Sequence, residues 1–367
     1  MNMDVLLISL MMIPVFISLV FIPYWTRKTE SFGVSIPETV YDQPELKKMR
    51  SQYAWSMAII SAAVLSVFLT ASAQVAGQAE LLSQLFAFLI IAYIIINFLV
   101  YLFFHLKMKT IKEQAGWTAK KQQMVVIDTE FRQNKLTYSN LWFMVPFAIA
   151  IGTMLFLLNA YGQIPQKIPM QYDFSGEVTR YANKSLRTVL IFPILQVYLT
   201  LLFLFINTII AKAKQQVSAE NPERSVRQNI IFRRRWSAFT IISGTAVVSI
   251  FLFTAFSMVY PVNPTLLMLV PFMVATGIVI GAIVLSLITG QGGSRLKMNA
   301  GKNGEMINRD DDRYWKLGQF YFNKKDPAIF VEKRFGIGWT SNWAHPLSWI
   351  YLIVILGLAI ALPFLLM

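Results

Sequence analysis

Eight apolar stretches of about twenty residues recur along the chain, at about 4–24, 55–73, 81–104, 141–159, 188–210, 238–259, 265–289 and 347–366. A helix of roughly 20 apolar residues crosses the hydrocarbon of a bilayer. In lipid the backbone N–H and C=O groups have to be satisfied within the segment, which a helix achieves alone. The blocks therefore predict an all-α integral membrane protein, a bundle of about eight transmembrane helices. The first block lacks a basic leader, and Pro23-Tyr24-Trp25 is a poor match to a cleavage site, so it reads as a retained span.

Lys and Arg sort by side. The loops after blocks one, three, five and seven hold 29 of them, and the loops after blocks two, four and six hold 4. Basic residues stay on the cytoplasmic side. Both termini are then extracytoplasmic, and the aromatic segment Asp310–Trp343 before the last span is cytoplasmic. The net charge of +14 follows the membrane, which argues against nucleic acid as a partner and for membrane lipids. The chain has no cysteine, excluding disulfides and thiolate metal sites.

Loop lengths divide the chain into four segments. Residues 1–140 hold three spans and two cytoplasmic loops. Residues 141–210 hold two spans around one external loop. A basic loop and a two-span hairpin occupy 211–290, and the aromatic segment with the last span occupies 291–367. Ala73–Glu80 and Tyr260–Pro264 are tight outer turns. The stretch 212–236 reads as helical on both sides of Pro222, with Arg233, Arg234 and Arg235 meeting anionic headgroups. The stretch 291–305 reads as a Gly/Asn/Lys linker, and 120–139 as a short strand pair.

Spans two to eight, as drawn, contain no Asp, Glu, Lys, Arg or His. A coupled pump ordinarily keeps an ionisable group at depth. The polar residues present fall on seams. Tyr93, Asn97, Tyr101 and His105 recur every fourth residue on one helix face, and Gln196, Thr200 and Asn207 lie within about 40° of one another. Such a seam forms either a groove for a ligand or hydrogen bonds between helices. Small residues at the same spacing (Ala58, Ala62 and Ser66; Ala148 and Gly152; Gly277 and Gly281; Gly357 and Ala361) favour close helix packing or a homodimer. Pro146, Pro193 and Pro271 are candidate kinks.

Catalytic chemistry is hard to place. There are two His and no Cys, and no zinc, serine-hydrolase or phosphate-loop motif. Asp310, Asp311 and Asp312 read as a solvated acidic flank rather than a cation loop, which alternates its ligands around a Gly. Asp128 and Glu130 form a carboxylate pair that nothing marks as buried. The expectation is a non-enzyme without cofactor or metal. A short echo links Phe32-Gly33-Val34 with Phe335-Gly336-Ile337, a match of a size that chance supplies.

The external loop contains Ile168-Pro169-Met170-Gln171-Tyr172-Asp173-Phe174-Ser175-Gly176-Glu177-Val178. It resembles the bacterial domain of unknown function 1648, which accompanies SdpI-type immunity proteins. Ile168, Pro169, Tyr172, Asp173 and Gly176 match its pattern. Gln171 stands where the family has His, and Val178 where it has Pro. The aromatic segment, through Tyr314-Trp315, Gly318, Phe320-Tyr321, Asn323, Asp326-Pro327, Phe330-Val331, Lys333-Arg334, Gly336, Gly338-Trp339-Thr340 and Asn342, is similar to the domain of unknown function 5808. These resemblances imply a multi-span protein of the bacterial cytoplasmic membrane and bring no catalytic residue. SdpI-type proteins are implied to protect a cell from a membrane-active toxin and to relay its presence to a regulator.

Three sets of candidate residues follow. Ile168, Pro169, Gln171, Tyr172, Asp173 and Gly176 form an external contact loop for a peptide or toxin. Trp315, Tyr321, Asn323, Asp326, Arg334, Trp339 and Asn342 form a docking surface for a cytoplasmic regulator. Tyr93, Asn97, Tyr101, Gln196, Thr200 and Asn207 form an intramembrane polar seam. The expected function is a non-enzymatic sensor or immunity factor. The alternatives are a passive or sodium-coupled permease and, behind it, a membrane enzyme.

Overall fold

The computed structural model describes residues 3–75, 78–117, 135–172, 178–216, 222–296 and 312–366. Its helices are α1 (Met3–Trp25), α2 (Pro44–Gln74), α3 (Ala79–Gln114), α4 (Met144–Asn159), α5 (Leu186–Val189), α6 (Ile191–Lys212), α7 (Pro222–Ser257), α8 (Pro264–Thr289) and α9 (Pro346–Leu366). Seven of these stretches are long and apolar enough to cross a membrane, which makes this a multi-pass membrane architecture. The eighth expected block coincides with α9, whose apolar stretch Pro346–Leu362 is shorter than the other seven.

Several helices outrun their apolar blocks. α2, α3 and α7 have 31, 36 and 36 residues. At 1.5 Å per residue the longer two reach about 54 Å, against about 30 Å of hydrocarbon. Charged residues continue a helix without interruption; what stops it is backbone chemistry. α2, α7, α8 and α9 each begin on a proline, whose missing N–H costs nothing in the first turn. Pro146 and Pro193 also lie in first turns, so of the three expected kinks only Pro271 is inside a helix. Of the stretch expected to be helical on both sides of Pro222, the part after the proline is helix; α6 ends at Lys212, and 217–221 lie outside the described residues.

Among the described residues the loops hold short strands and single helical turns. Four two-stranded antiparallel ribbons occupy them: β1 (Glu30–Ser31) with β2 (Val34–Ser35), β3 (Lys167–Tyr172) with β4 (Val178–Asn183), β5 (Trp315–Lys316) with β6 (Phe320–Tyr321), and β7 (Phe330–Glu332) with β8 (Trp339–Ser341). The apolar blocks are helical, in keeping with the all-α expectation, and the described parts of the loops add short strand pairs. The strand pair expected at 120–139 falls mostly outside the described residues.

The chain forms two compact units, each made of non-consecutive pieces. One contains Met1–Leu136, Lys212–Arg233 and Ile283–Ser348, and the other Thr137–Ala211, Arg234–Ala282 and Trp349–Met367. In the first unit an aromatic nucleus gathers Phe32, Tyr53, Tyr101, Phe104 and Phe335, with Phe32 stacked on Phe335 at 5.8 Å and on Phe104 at 5.3 Å. Phe32-Gly33 turns β1 into β2 with φ of 47° and 78°. A Cβ on Gly33 would stand 2.5 Å from the Tyr101 hydroxyl and 2.6 Å from the Gly318 carbonyl oxygen, so only glycine fits. In the second unit Leu157, Ile164, Ile168, Val189, Ile191, Phe192, Ala255 and Met258 form one apolar cluster under the β3–β4 hairpin.

Candidate functional site

The aromatic segment of the first unit is folded around its own polar groups. Trp315, Tyr321 and Val331 make a small core. The Asn342 side-chain amide donates to the Asn323 carbonyl at 2.8 Å and the Asp326 carbonyl at 3.1 Å, and its oxygen accepts from Asn323 N at 3.0 Å. Asn323 and Asp326 each cap a turn, accepting from the backbone N–H of Lys325 and Ala328. The Tyr321 hydroxyl donates to Asp326 at 2.7 Å. Of the residues expected to form a docking surface, Trp315, Tyr321, Asn323, Asp326, Arg334 and Asn342 are buried. Trp339 is half-buried against Phe232 at 5.5 Å. These side chains are the inside of the segment and cannot be its surface.

Three carboxylates of this segment each meet basic groups. Glu332, fully buried, is bound by Arg27 just beyond α1 and by Arg233 of α7 at 2.9 Å, and it accepts from Asn229 at 2.8 Å. Arg233 also donates to Asn229 one turn away, at 2.7 Å, and Arg27 to Gln216 at 2.7 Å. Asp312 is bound by Lys112 of α3 at 2.7 Å and by Arg334, and accepts from Ser35 N at 3.2 Å. Asp326 is bound by Lys214, just past α6, at 2.5 Å. Burial works to raise both aspartate pKa values, but Arg334 and Lys112 at Asp312, and Lys214, Tyr321 and the Ala328 N–H at Asp326, hold them below the ordinary carboxylate range.

Two expectations are corrected here. Arg233 was expected among headgroups and is instead fully buried on Glu332, while Arg234 and Arg235 are exposed. Asp312 was expected in a solvated flank and is a ligand of two cations. A charge this deep persists only with a counter-charge, and removing one member of such a pair costs about 3–5 kcal/mol.

The polar seams are engaged in hydrogen bonds to neighbouring helices, to the ribbons and to their own backbone. Tyr93 meets Ser61 at 2.8 Å, and Asn97 accepts from Tyr53 at 3.1 Å. The Tyr101 hydroxyl reaches the Leu317 carbonyl at 3.0 Å, and His105 Nδ1 the Phe32 carbonyl at 2.8 Å. In the second unit Gln196 donates to the Val248 carbonyl at 3.0 Å, and Thr200 donates to the Gln196 carbonyl at 2.7 Å. Asn207 donates to Asn140 at 2.8 Å and accepts from Ser237 at 2.6 Å. Gln196, Thr200 and Asn207 are completely buried.

The β3–β4 hairpin belongs to the second unit. An isolated two-stranded ribbon is marginal in water, so its base has to be anchored. Ile164 and Ile168 point into the apolar cluster, and Lys184 donates to the Ile164 carbonyl at 2.8 Å with its ammonium over the Tyr161 ring. Ser185 caps α5 through Thr188 N. From this base Lys167, Thr179, Arg180, Tyr181 and Asn183 are exposed, Tyr181 to 55%. Ile168 is buried, and Pro169 and Tyr172 are half-buried. Asp173, Gly176 and the side chain of Gln171 lie outside the described residues. The register shifts between Pro169 and Gln171 and again before Tyr172.

Two family models match the chain. Residues 148–197 match the one described as Domain of unknown function (DUF1648). Residues 324–349 match the one described as Family of unknown function (DUF5808). The first match runs from α4 through the hairpin into α6, and the second covers β7, β8 and the start of α9. Comparison with curated proteins and with solved structures finds no match.

Sequence reasoning missed Arg27, Lys112, Glu332 and Gln291, whose side chain holds the Gly338 N–H at 2.8 Å, and gave Arg233 and Asp312 other roles. One signal was present. Asn229 and Arg233 lie four apart on α7, a spacing that places both on one face.

Proposed function

We propose that this protein is a non-enzymatic sensor or immunity factor of a bacterial cytoplasmic membrane. The β3–β4 hairpin is its contact surface for an extracellular peptide or membrane-active toxin. The observation that carries this reading is the contrast within the hairpin: a base locked into the apolar cluster below the exposed side chains of Lys167, Thr179, Tyr181 and Asn183 on one face and Arg180 on the other. Loops fixed on a rigid scaffold are where membrane and soluble proteins alike place recognition. The cation and aromatic content of those side chains suits an acidic or amphipathic peptide. The aromatic segment faces the cytoplasm in this reading, where a regulator docks on its outer side chains.

The test is protection. Cells carrying the gene, cells lacking it, and cells carrying Tyr181→Ala with Arg180→Glu are challenged with a panel of membrane-active peptides. Loss of the gene and the double substitution are both expected to raise sensitivity to at least one peptide. Unchanged sensitivity across the panel, together with altered uptake of one solute, would overturn the proposal in favour of the permease. That second reading has one observation behind it: Oε1 of the fully buried Gln196 has no partner among the described residues.

A further inference from the structure

The β5–β6 ribbon has two unlike faces. Trp315 pairs with Tyr321 across it, and Lys316 with Phe320. Side chains alternate along a strand. Trp315, Tyr321 and Asn323 accordingly turn inward and are buried, while Lys316, Phe320, Phe322 and Lys324 turn outward and are exposed, with Lys325 beside them. Phe320 and Phe322 are each 38% exposed, and Leu317 at the tip is 44% exposed. Leu317 takes φ 51°, a left-handed conformation that a leucine adopts at a cost, and the following Gly318 takes φ 68°. The three lysines form no ion pair among the described residues.

The height of this face along α3 is fixed by two contacts. The Tyr101 hydroxyl donates to the Leu317 carbonyl at 3.0 Å, and a Cβ on Gly318 would stand 2.6 Å from His105 Nδ1. At that level α3 changes character. Phe103 and Leu106 are exposed apolar residues, and Lys107 and Lys109 follow as exposed cations. An exposed apolar flank giving way to lysines marks the edge of the hydrocarbon. The ribbon tip therefore sits where α3 leaves the bilayer, with an outer face that repeats the same mixture of rings and ammonium groups.

We propose that this face, made by Leu317, Phe320 and Phe322 with Lys316, Lys324 and Lys325, is a binding site for anionic phospholipid headgroups. The apolar groups enter the acyl boundary, and the ammonium groups hold the phosphates. The inference rests on the chain spanning a membrane and not on the immunity role, so the two fail separately.

The native chain has no cysteine. Phe320→Cys therefore carries a single environment-sensitive fluorophore on the full-length protein, reconstituted in phosphatidylcholine vesicles with or without phosphatidylglycerol. Phe322→Cys is a second position should the first disturb folding. The expected result is strong quenching by lipids spin-labelled near the headgroup and weak quenching by aqueous iodide. Spin-labelled phosphatidylglycerol should be preferred over phosphatidylcholine about tenfold. The variant Lys316→Gln, Lys324→Gln, Lys325→Gln should bring that preference to parity, and high salt should lower it. The proposal is overturned if iodide quenches the label as freely as the fluorophore–cysteine adduct in solution. The face would then lie in water and serve a soluble protein partner. Equal quenching by the two lipids would also overturn it, leaving a contact without headgroup selection.

Discussion

Between α8 and α9 the chain folds two short ribbons whose polar side chains point at one another and at basic groups of α3, α7 and the ends of α1 and α6. Between α4 and α6 it folds one longer hairpin, whose base is apolar and whose outer face is left to solvent. Both are small β elements in a helical membrane chain, and family models match the longer hairpin and the second of the two ribbons. The first region is held by buried charge, with Trp315, Tyr321, Asn323, Asp326 and Asn342 inside. The second is held by hydrophobic contact and keeps its charge outside. The first region is a lock of buried charge; the second is a display of exposed side chains on an apolar anchor.

Breaking the lock should have the largest effect. Glu332→Gln leaves Arg27 and Arg233 buried without their carboxylate, and should destabilise the first unit by about 3–5 kcal/mol in denaturant unfolding. If the loss is below about 1 kcal/mol, the lock is ornamental and the contrast collapses. Ile168→Ala removes the hairpin's apolar anchor and should cost about 2–4 kcal/mol in the second unit. Deuterium exchange should then rise at β3 and β4. A hairpin that kept its exchange protection in this variant would show that the strands hold themselves.

Acid should separate the two regions. Asp312 and Asp326 have folded-state pKa values below the ordinary 3.8. Their contribution is thus complete at neutral pH, above the unfolded value, and is lost as pH falls from about 4 through the lowered values. The aromatic segment should lose exchange protection in that window while the base of the β3–β4 hairpin keeps it. The smallest effect on stability is expected from Tyr181→Ala. It should shift unfolding by about 0.5 kcal/mol or less and still abolish protection against the peptide that the hairpin meets.

Much of this arrangement was visible in the residues. The apolar blocks marked the helices because hydrocarbon imposes length and composition together. The four-residue spacing of Tyr93, Asn97, Tyr101 and His105 marked a true helix face, and the aromatic density of 310–343 marked a folded segment. The charge lock was not visible, because Glu332 lies 305 positions after Arg27 and 99 after Arg233. In a basic loop beside an apolar block, Arg233 looks like any orientation charge. Nothing local distinguishes a cation on a phosphate from one on a distant carboxylate. The helical extensions of α2 and α3 were missed for a related reason: charged residues end a hydrophobic block, not a helix; that of α7 from Pro222 was read correctly. The turn Leu317-Gly318 carried a signal that was passed over, a residue followed by Gly between two short strands, which is the twin of Phe32-Gly33 in backbone conformation.

The proposed function puts the β3–β4 hairpin outside the cell and the aromatic segment in the cytoplasm, a placement that labelling tests directly. With no native cysteine, Tyr181→Cys and Arg313→Cys each give one exposed thiol. Intact cells are treated with a membrane-impermeant maleimide, before and after permeabilisation. The account predicts that Cys at position 181 reacts in intact cells and that Cys at position 313 reacts only once the membrane is opened. Labelling of position 313 from outside, or protection of position 181 until permeabilisation, would contradict it.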